Sequence, residues 1–151
     1  TGISCIFVTH DAQDAISLAH KIAVLDQGKV IQMGTPKVLF DQPFTPAIAR
    51  FFGEINIFNQ EDFQHFDIEL EKADFYGIRP EHITYSLAPE KNRQAAVIIG
   101  ETFHGLWRKY RIKISSQIEL DLMVDAQVLI EGKEIFITLD PAYLLRFHKK
   151  N

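Results

Sequence analysis

Residues 3–43 read ISCIFVTHDAQDAISLAHKIAVLDQGKVIQMGTPKVLFDQP, and the join at Thr9-His10-Asp11 decides how this chain is organised. "ISCIFV", 3–8, is nearly continuous apolar sequence with β-branched residues and Phe7, the pattern of a strand covered on both faces. A strand with one face in water would alternate, and this one does not. Asp11 is placed to cap a helix, with Asp14 three residues on in a variant of the capping box, and both acids suit the positive helix end. Ala12, Ile16, Ala19 and Ala23 recur at helical spacing, with Ala15 and Ile22 beside them. A histidine at the carboxyl end of a buried parallel strand stands where α/β sheets bind ligands, and an imidazole there can donate to a phosphate oxygen or orient a water. Taken alone, a histidine at a strand end is more often structural or incidental, and capping alone explains Asp11 and Asp14.

The period then changes. "IAVLDQGKVIQMG", 22–34, predicts two short strands about a tight turn in which Gly28 supplies a positive φ. Thr35 and Thr45 each precede a proline, so two further helices are expected, each with a threonine cap and proline at the first helical position. They run through "PKVLFDQ" and "PAIARFF" to Gly53. Residues 1–53 thus read as strand, helix, hairpin, helix, helix.

Beyond Gly53 the texture becomes β-rich. "INIFN" predicts a short strand, and "YGIRPEHITYS" a strand, a rigid turn at Pro80 and a second strand. "APEKNRQ" reads as a surface loop. "AAVIIGETFHGLWRKYRIKI", "SQIELDLMV" and "AQVLIEGKEIFITLD" read as successive strands, with turns near Gly105, Ser115-Ser116, Asp125 and Gly132. "PAYLLRFHKK" closes as a short helical or irregular turn with a basic end. Many short strands between turn signals predict a small closed or partly open barrel over 54–151.

Composition narrows the chemistry. The 151 residues are 46% hydrophobic and 24% charged with a net charge of −4, so no general pull toward nucleic acid or anionic membrane is expected. The single cysteine, Cys5, cannot form an internal disulfide, and its lone use fits a reducing cytoplasm. His20, His65, His104 and His148 share no spacing that suggests a metal site, and none is expected. "WRKYRIK", 107–113, interleaves basic and aromatic residues and could stack bases or hold an anion. Its alternation equally fits a strand with Lys109, Arg111 and Lys113 on a solvated face. In "GIRPEHI", 77–83, Arg79 or Glu81 is expected to pin the turn through an ion pair or backbone hydrogen bonds.

These motifs carry a resemblance. "IFVTHDAQDAISLAHKIAVLDQGKVIQMGTPKVLFDQP" resembles the C-terminal end of the ATP-binding subunits of ABC importers, and "FTPAIARFFGEINIFN" and "GIRPEHI" resemble the next features of members with a regulatory domain. The resemblance implies an α/β remnant of an ABC ATPase domain over 1–53, followed over 54–151 by an oligonucleotide-binding-like barrel of the TOBE type. It implies that His10 is the switch (H-loop) histidine, both catalytic and nucleotide-binding, with ATP and Mg2+ the cofactors of the full-length protein. It further implies a homodimer beneath membrane-spanning permease subunits, peripheral on the cytoplasmic face, with a regulatory or dimerising role for the barrel. A small oxyanion is a further ligand implied for such barrels, and nucleic acid is not expected. "GEINIFN" leans toward polyamine-type members without fixing the solute.

The chain has no G-x-x-x-x-G-K-[ST], and Gly28-Lys29 and Gly132-Lys133 sit in hairpin-like contexts. Without a phosphate cradle or magnesium ligands, this chain alone is expected to bind no cofactor and hydrolyse no ATP. The apolar faces and open edges of 3–8 then need cover from a partner chain, by swapping, or by a rearranged local fold, so self-association is expected. From another class, the alternative is a stand-alone barrel module that binds an oxyanion or single-stranded nucleic acid.

Overall fold

The computed structural model describes residues 2–149 except Asp67, and the side chains of Gln64 and His65 are also outside the description. The predicted basic end at Lys150 lies outside the described residues. The chain divides after Gly53 into two compact units.

In the first unit, α1 spans Ala12–Leu18, β1 Ile22–Asp26, β2 Lys29–Gly34, α2 Pro36–Asp41 and α3 Pro46–Phe52. Each helix begins where a side chain satisfies backbone N–H groups that the helix cannot. Asp11 accepts from the amides of Gln13 and Asp14, Thr35 from Val38 and Thr45 from Ile48. The two strands pair antiparallel around Gln27 (φ 47°) and Gly28 (φ 75°), the double positive φ of a type I′ turn. A small core of Leu39, Ile48 and Phe52 gathers Ala12, Ile16, Ile22, Val24, Ile31 and Phe40 around it. Gln32 is buried but satisfied, donating to the Gln42 carbonyl at 2.8 Å and accepting from the Phe44 amide at 2.8 Å, which fixes the link between α2 and α3.

Two expectations fail here. Residues 3–8 form no strand; they are exposed, with Ile6 at 95% and Val8 at 90%. Their apolar run encodes burial, but a strand also needs a hydrogen-bonded neighbour, and among the described residues nothing pairs with it. The helical face also ends early. Ile22 and Ala23 belong to β1, because α1 stops at Leu18 and Ala19 is already extended.

The second unit holds β3 (Asn56–Phe58), β4 (Phe75–Ile78), β5 (Ile83–Ser86), β6 (Gln94–Phe103), β7 (Trp107–Lys113), β8 (Glu119–Asp125), β9 (Glu134–Leu139) and β10 (Leu145–Phe147). They form a three-stranded sheet in the order β10-β4-β3 and a five-stranded sheet β5-β9-β6-β7-β8, with every pairing antiparallel. The larger sheet curls until β8 approaches β5 and the Pro80–His82 turn, yet β5 and β8 share no ladder. It is an open, barrel-like β module. Alternation supplies its core: Tyr110 and Ile112 from β7, Leu120 and Leu122 from β8, and Ile135, Ile137 and Leu139 from β9 are all buried. Tyr76, Phe58, Phe63 and Phe66 join the same cluster. Gly77 is required at its site, since a Cβ there would lie 2.7 Å from Ile55 Cδ1 and 3.0 Å from Phe147 Cε2.

The predicted strand before Gly132 is instead irregular, and the closing segment holds a strand that was not expected, β10, after a single 3-10 turn. β10 is short, and its Leu145↔Gly77 register is a long-range pairing invisible to local pattern.

Candidate functional site

His10 lies in a bend between the unpaired 3–8 segment and α1. The Thr9 hydroxyl accepts from the Asp11 amide at 3.0 Å, and Asp11 Oδ1 accepts from the Gln13 amide at 2.7 Å and the Asp14 amide at 3.3 Å. Those bonds set the backbone on the helix side of the histidine. Its imidazole is exposed and, among the described residues, makes no hydrogen bond, so both ring nitrogens are open to a ligand. Asp11 and Asp14 are spent as cap and first-turn acid, as their spacing predicts. Among the described residues no group of three or more His, Cys, Asp or Glu side chains could hold a metal ion.

The second unit joins two motifs that are far apart in sequence. Arg79, buried to 3%, donates from Nη1 to the Glu54 carbonyl at 3.1 Å. Lys109 Nζ reaches both oxygens of the Glu54 carboxylate at 2.9 Å. "GIRPEHI" and "WRKYRIK" therefore meet at Glu54, and Arg79 rather than exposed Glu81 pins the turn. Asn56 works beside them. Its amide donates to the Asp121 carbonyl and accepts from the Asp121 amide, at 2.9 and 2.8 Å, so one side chain covers the outer edge of β8 as a strand would. Sequence reading missed Glu54 and Asn56. Their "GEINIFN" context gave a strand signal, but nothing local told of partners 25 to 65 residues away.

Two more cations of β7, Arg111 and Arg108, are committed too. Arg111 makes a two-point bridge to Asp121, at 2.8 and 3.2 Å, which raises the guanidinium above its ordinary range. Arg108 pairs with Glu101, donates to the Ala126 carbonyl at 3.3 Å and lies over the Phe103 ring. With Arg108, Lys109 and Arg111 already bridged to carboxylates, β7 gives little footing to a single-stranded nucleic acid or an oxyanion. His82 stacks on Tyr143 with ring centroids 4.0 Å apart, tying the Pro80–His82 turn to the Pro141–Tyr143 turn. A shallow groove of about 510 Å³ is lined by Asn59, Gln60, Glu61, Lys72, Asp74 and His148, with both signs of charge on its walls.

Comparison with known proteins bears on this geometry. The spermidine/putrescine import ATP-binding protein PotA of Borrelia garinii is 30% identical over 164 aligned positions, which take in 99% of this chain and 46% of that protein. The chain is a homologue of ABC importer ATP-binding subunits. A PotA of Fusobacterium nucleatum is 31% identical, covering 83% of this chain and 41% of its own length. The sulfate/thiosulfate import ATP-binding protein CysA of Nephroselmis olivacea is 30% identical, covering 77% of this chain and 31% of its own length. No family model matches the chain. The chain spans less than half the length of these curated relatives. No described helix is long and apolar enough to cross a membrane.

Proposed function

We propose that this chain is the C-terminal portion of an importer's ATP-binding subunit, in which residues up to Gly53 complete the ATP-binding domain and residues from Glu54 form a TOBE-type regulatory or dimerising module. The observation that carries this reading is similarity to import ATP-binding proteins across nearly the whole chain, in a sequence that has no phosphate loop of its own. The longer protein would pair with membrane-spanning permease subunits at the cytoplasmic face and couple ATP hydrolysis to solute uptake. Spermidine, putrescine, sulfate and thiosulfate, the solutes in the relatives' names, are those to assay first.

In that protein His10 is the residue of this chain that meets nucleotide. Bound Mg2+-ATP would supply the γ-phosphoryl group for transfer to water. His10, exposed at the amino end of a capped helix, donates a hydrogen bond to a terminal phosphate oxygen and orients the attacking water. The phosphate cradle and metal ligands belong to sequence that this chain does not contain.

The test is ATP turnover by the full-length subunit assembled with its permease. His10→Ala is expected to lower kcat by roughly 100-fold, the scale of losing one positioned donor to a charged transition state, with nucleotide affinity changed only a few-fold. Wild-type turnover in His10→Ala would overturn the assignment. The 151-residue chain alone is expected to show no magnesium-dependent hydrolysis, and turnover that His10→Ala abolishes in that chain would overturn the reading as a part.

A further inference from the structure

A working imidazole is commonly held in aim by a carboxylate or carbonyl that takes its second N–H, and among the described residues His10 has neither. The nearest acids in sequence are spent. Asp11 Oδ1 accepts from the Gln13 and Asp14 amides at 2.7 and 3.3 Å, and Asp14 is the first-turn acid of α1. Aim must therefore come through the main chain. The Thr9 hydroxyl accepts from the Asp11 amide at 3.0 Å, closing a turn of the ST type with His10 as its middle residue. The ring closed by that bond runs from Thr9 Oγ1 through the whole main chain of His10 to the Asp11 nitrogen. Both soft torsions of His10, φ and ψ, lie inside it, so one hydrogen bond restrains both. On the other side α1 takes over, with the Ala15 amide donating to the Asp11 carbonyl at 3.2 Å.

We propose that Thr9 is a positioning residue for His10, its hydroxyl fixing the main chain that aims the imidazole at the terminal phosphate. The proposal rests on the reading of His10 as the nucleotide contact and adds which side chain holds it. Thr9 is not needed to start α1, because Asp11 already caps that helix. Its hydroxyl serves the residue between them. The bond spans only two residues, so it needs no strand beside 3–8 in order to form. A hydroxyl also suits the place, since it accepts a hydrogen bond without setting another negative charge beside a phosphate. Misplacing a reacting group by about 1 Å costs on the order of 100-fold in rate, so loosening two torsions through one exposed hydrogen bond should cost about tenfold.

The experiment compares Thr9→Val, Thr9→Ser, His10→Ala and the double variant Thr9→Val with His10→Ala. Each is read in ATP turnover by the full-length subunit assembled with its permease, and in amide exchange of the 151-residue chain. Valine keeps the shape of Thr9 and removes the acceptor. Thr9→Val should lower kcat about tenfold with KM for ATP within about twofold of wild type, and Thr9→Ser should recover kcat to within about threefold. In the His10→Ala background, Thr9→Val should add less than about twofold, because a residue that acts through His10 then has nothing to position. In the chain, the Asp11 amide should exchange at least about threefold faster in Thr9→Val and not in Thr9→Ser, while the Asp14 amide, held by Asp11, keeps its rate. Wild-type kcat in Thr9→Val beside a strong loss in His10→Ala overturns the proposal and leaves the His10 reading standing. Wild-type kcat in His10→Ala overturns both. A loss that persists in the His10→Ala background, or that Thr9→Ser shares, makes Thr9 merely structural and overturns the proposal. So does an Asp11 exchange rate that Thr9→Val leaves unchanged.

Discussion

The segment 3–8 and strand β9 have similar composition and opposite fates. "ISCIFV" is apolar and β-branched, yet it lies exposed and unpaired; "EIFITL" is no more apolar, yet Ile135, Ile137 and Leu139 are buried. β9 is paired on both sides, by β5 and β6, whereas nothing among the described residues pairs with 3–8. Hydrophobic pattern states what a segment needs, and only a neighbouring strand and a facing core provide it. The second unit supplies both from its own residues. The first supplies a core of three fully buried large side chains and leaves its most apolar run without a place.

Substitutions should separate the two regions in a graded way. Ile137→Ala removes a fully buried side chain from the large core and should cost about 3 kcal/mol in urea unfolding, while Ile6→Ser should cost less than about 0.5 kcal/mol. A cost at Ile6 near that at Ile137 would break the comparison. Arg79→Ala, which removes the buried donor to the Glu54 carbonyl, should cost about 2 kcal/mol. Gly77→Ala should cost about 1 to 2 kcal/mol, because its methyl must displace Ile55 and Phe147 where β4 is hemmed in by its neighbours.

The smallest expected effect is electrostatic. Arg93, hydrogen-bonded to Glu90 at 2.9 Å, holds that carboxyl below its ordinary 4.5. A depressed carboxyl contributes stability above its unfolded pKa and loses it as pH falls through the folded one. Glu90→Gln should therefore slightly lower stability at neutral pH, by an amount that vanishes as pH falls through the carboxylate range, so that the acid limb is flatter. A loss that appears only at acid pH, with the neutral region unchanged, would contradict that sign.

Much of this architecture was legible because its causes are local. Asp11, Thr35 and Thr45 announce helix starts through the amides that they cap, and Gly28 announces a turn through its φ. Alternation in "WRKYRIK" places Tyr110 and Ile112 inward before any contact is known. What was not legible depends on distance along the chain. β10 exists because Leu145 meets Gly77, and Glu54 matters because Arg79 and Lys109 converge on it. The reading of 3–8 as a strand failed for the same reason: its partner is not encoded in its own residues. His10 stood out by position, and the structure leaves it exposed and without a hydrogen-bonding partner among the described residues.

Native-state hydrogen exchange of the 151-residue chain tests this contrast most directly. Amides of 3–8 are expected to exchange at the rate of an unfolded peptide, while those of Tyr110, Ile112, Ile135 and Ile137 exchange only with global unfolding. Protection of 3–8 equal to that of β9 in the isolated chain would contradict the account.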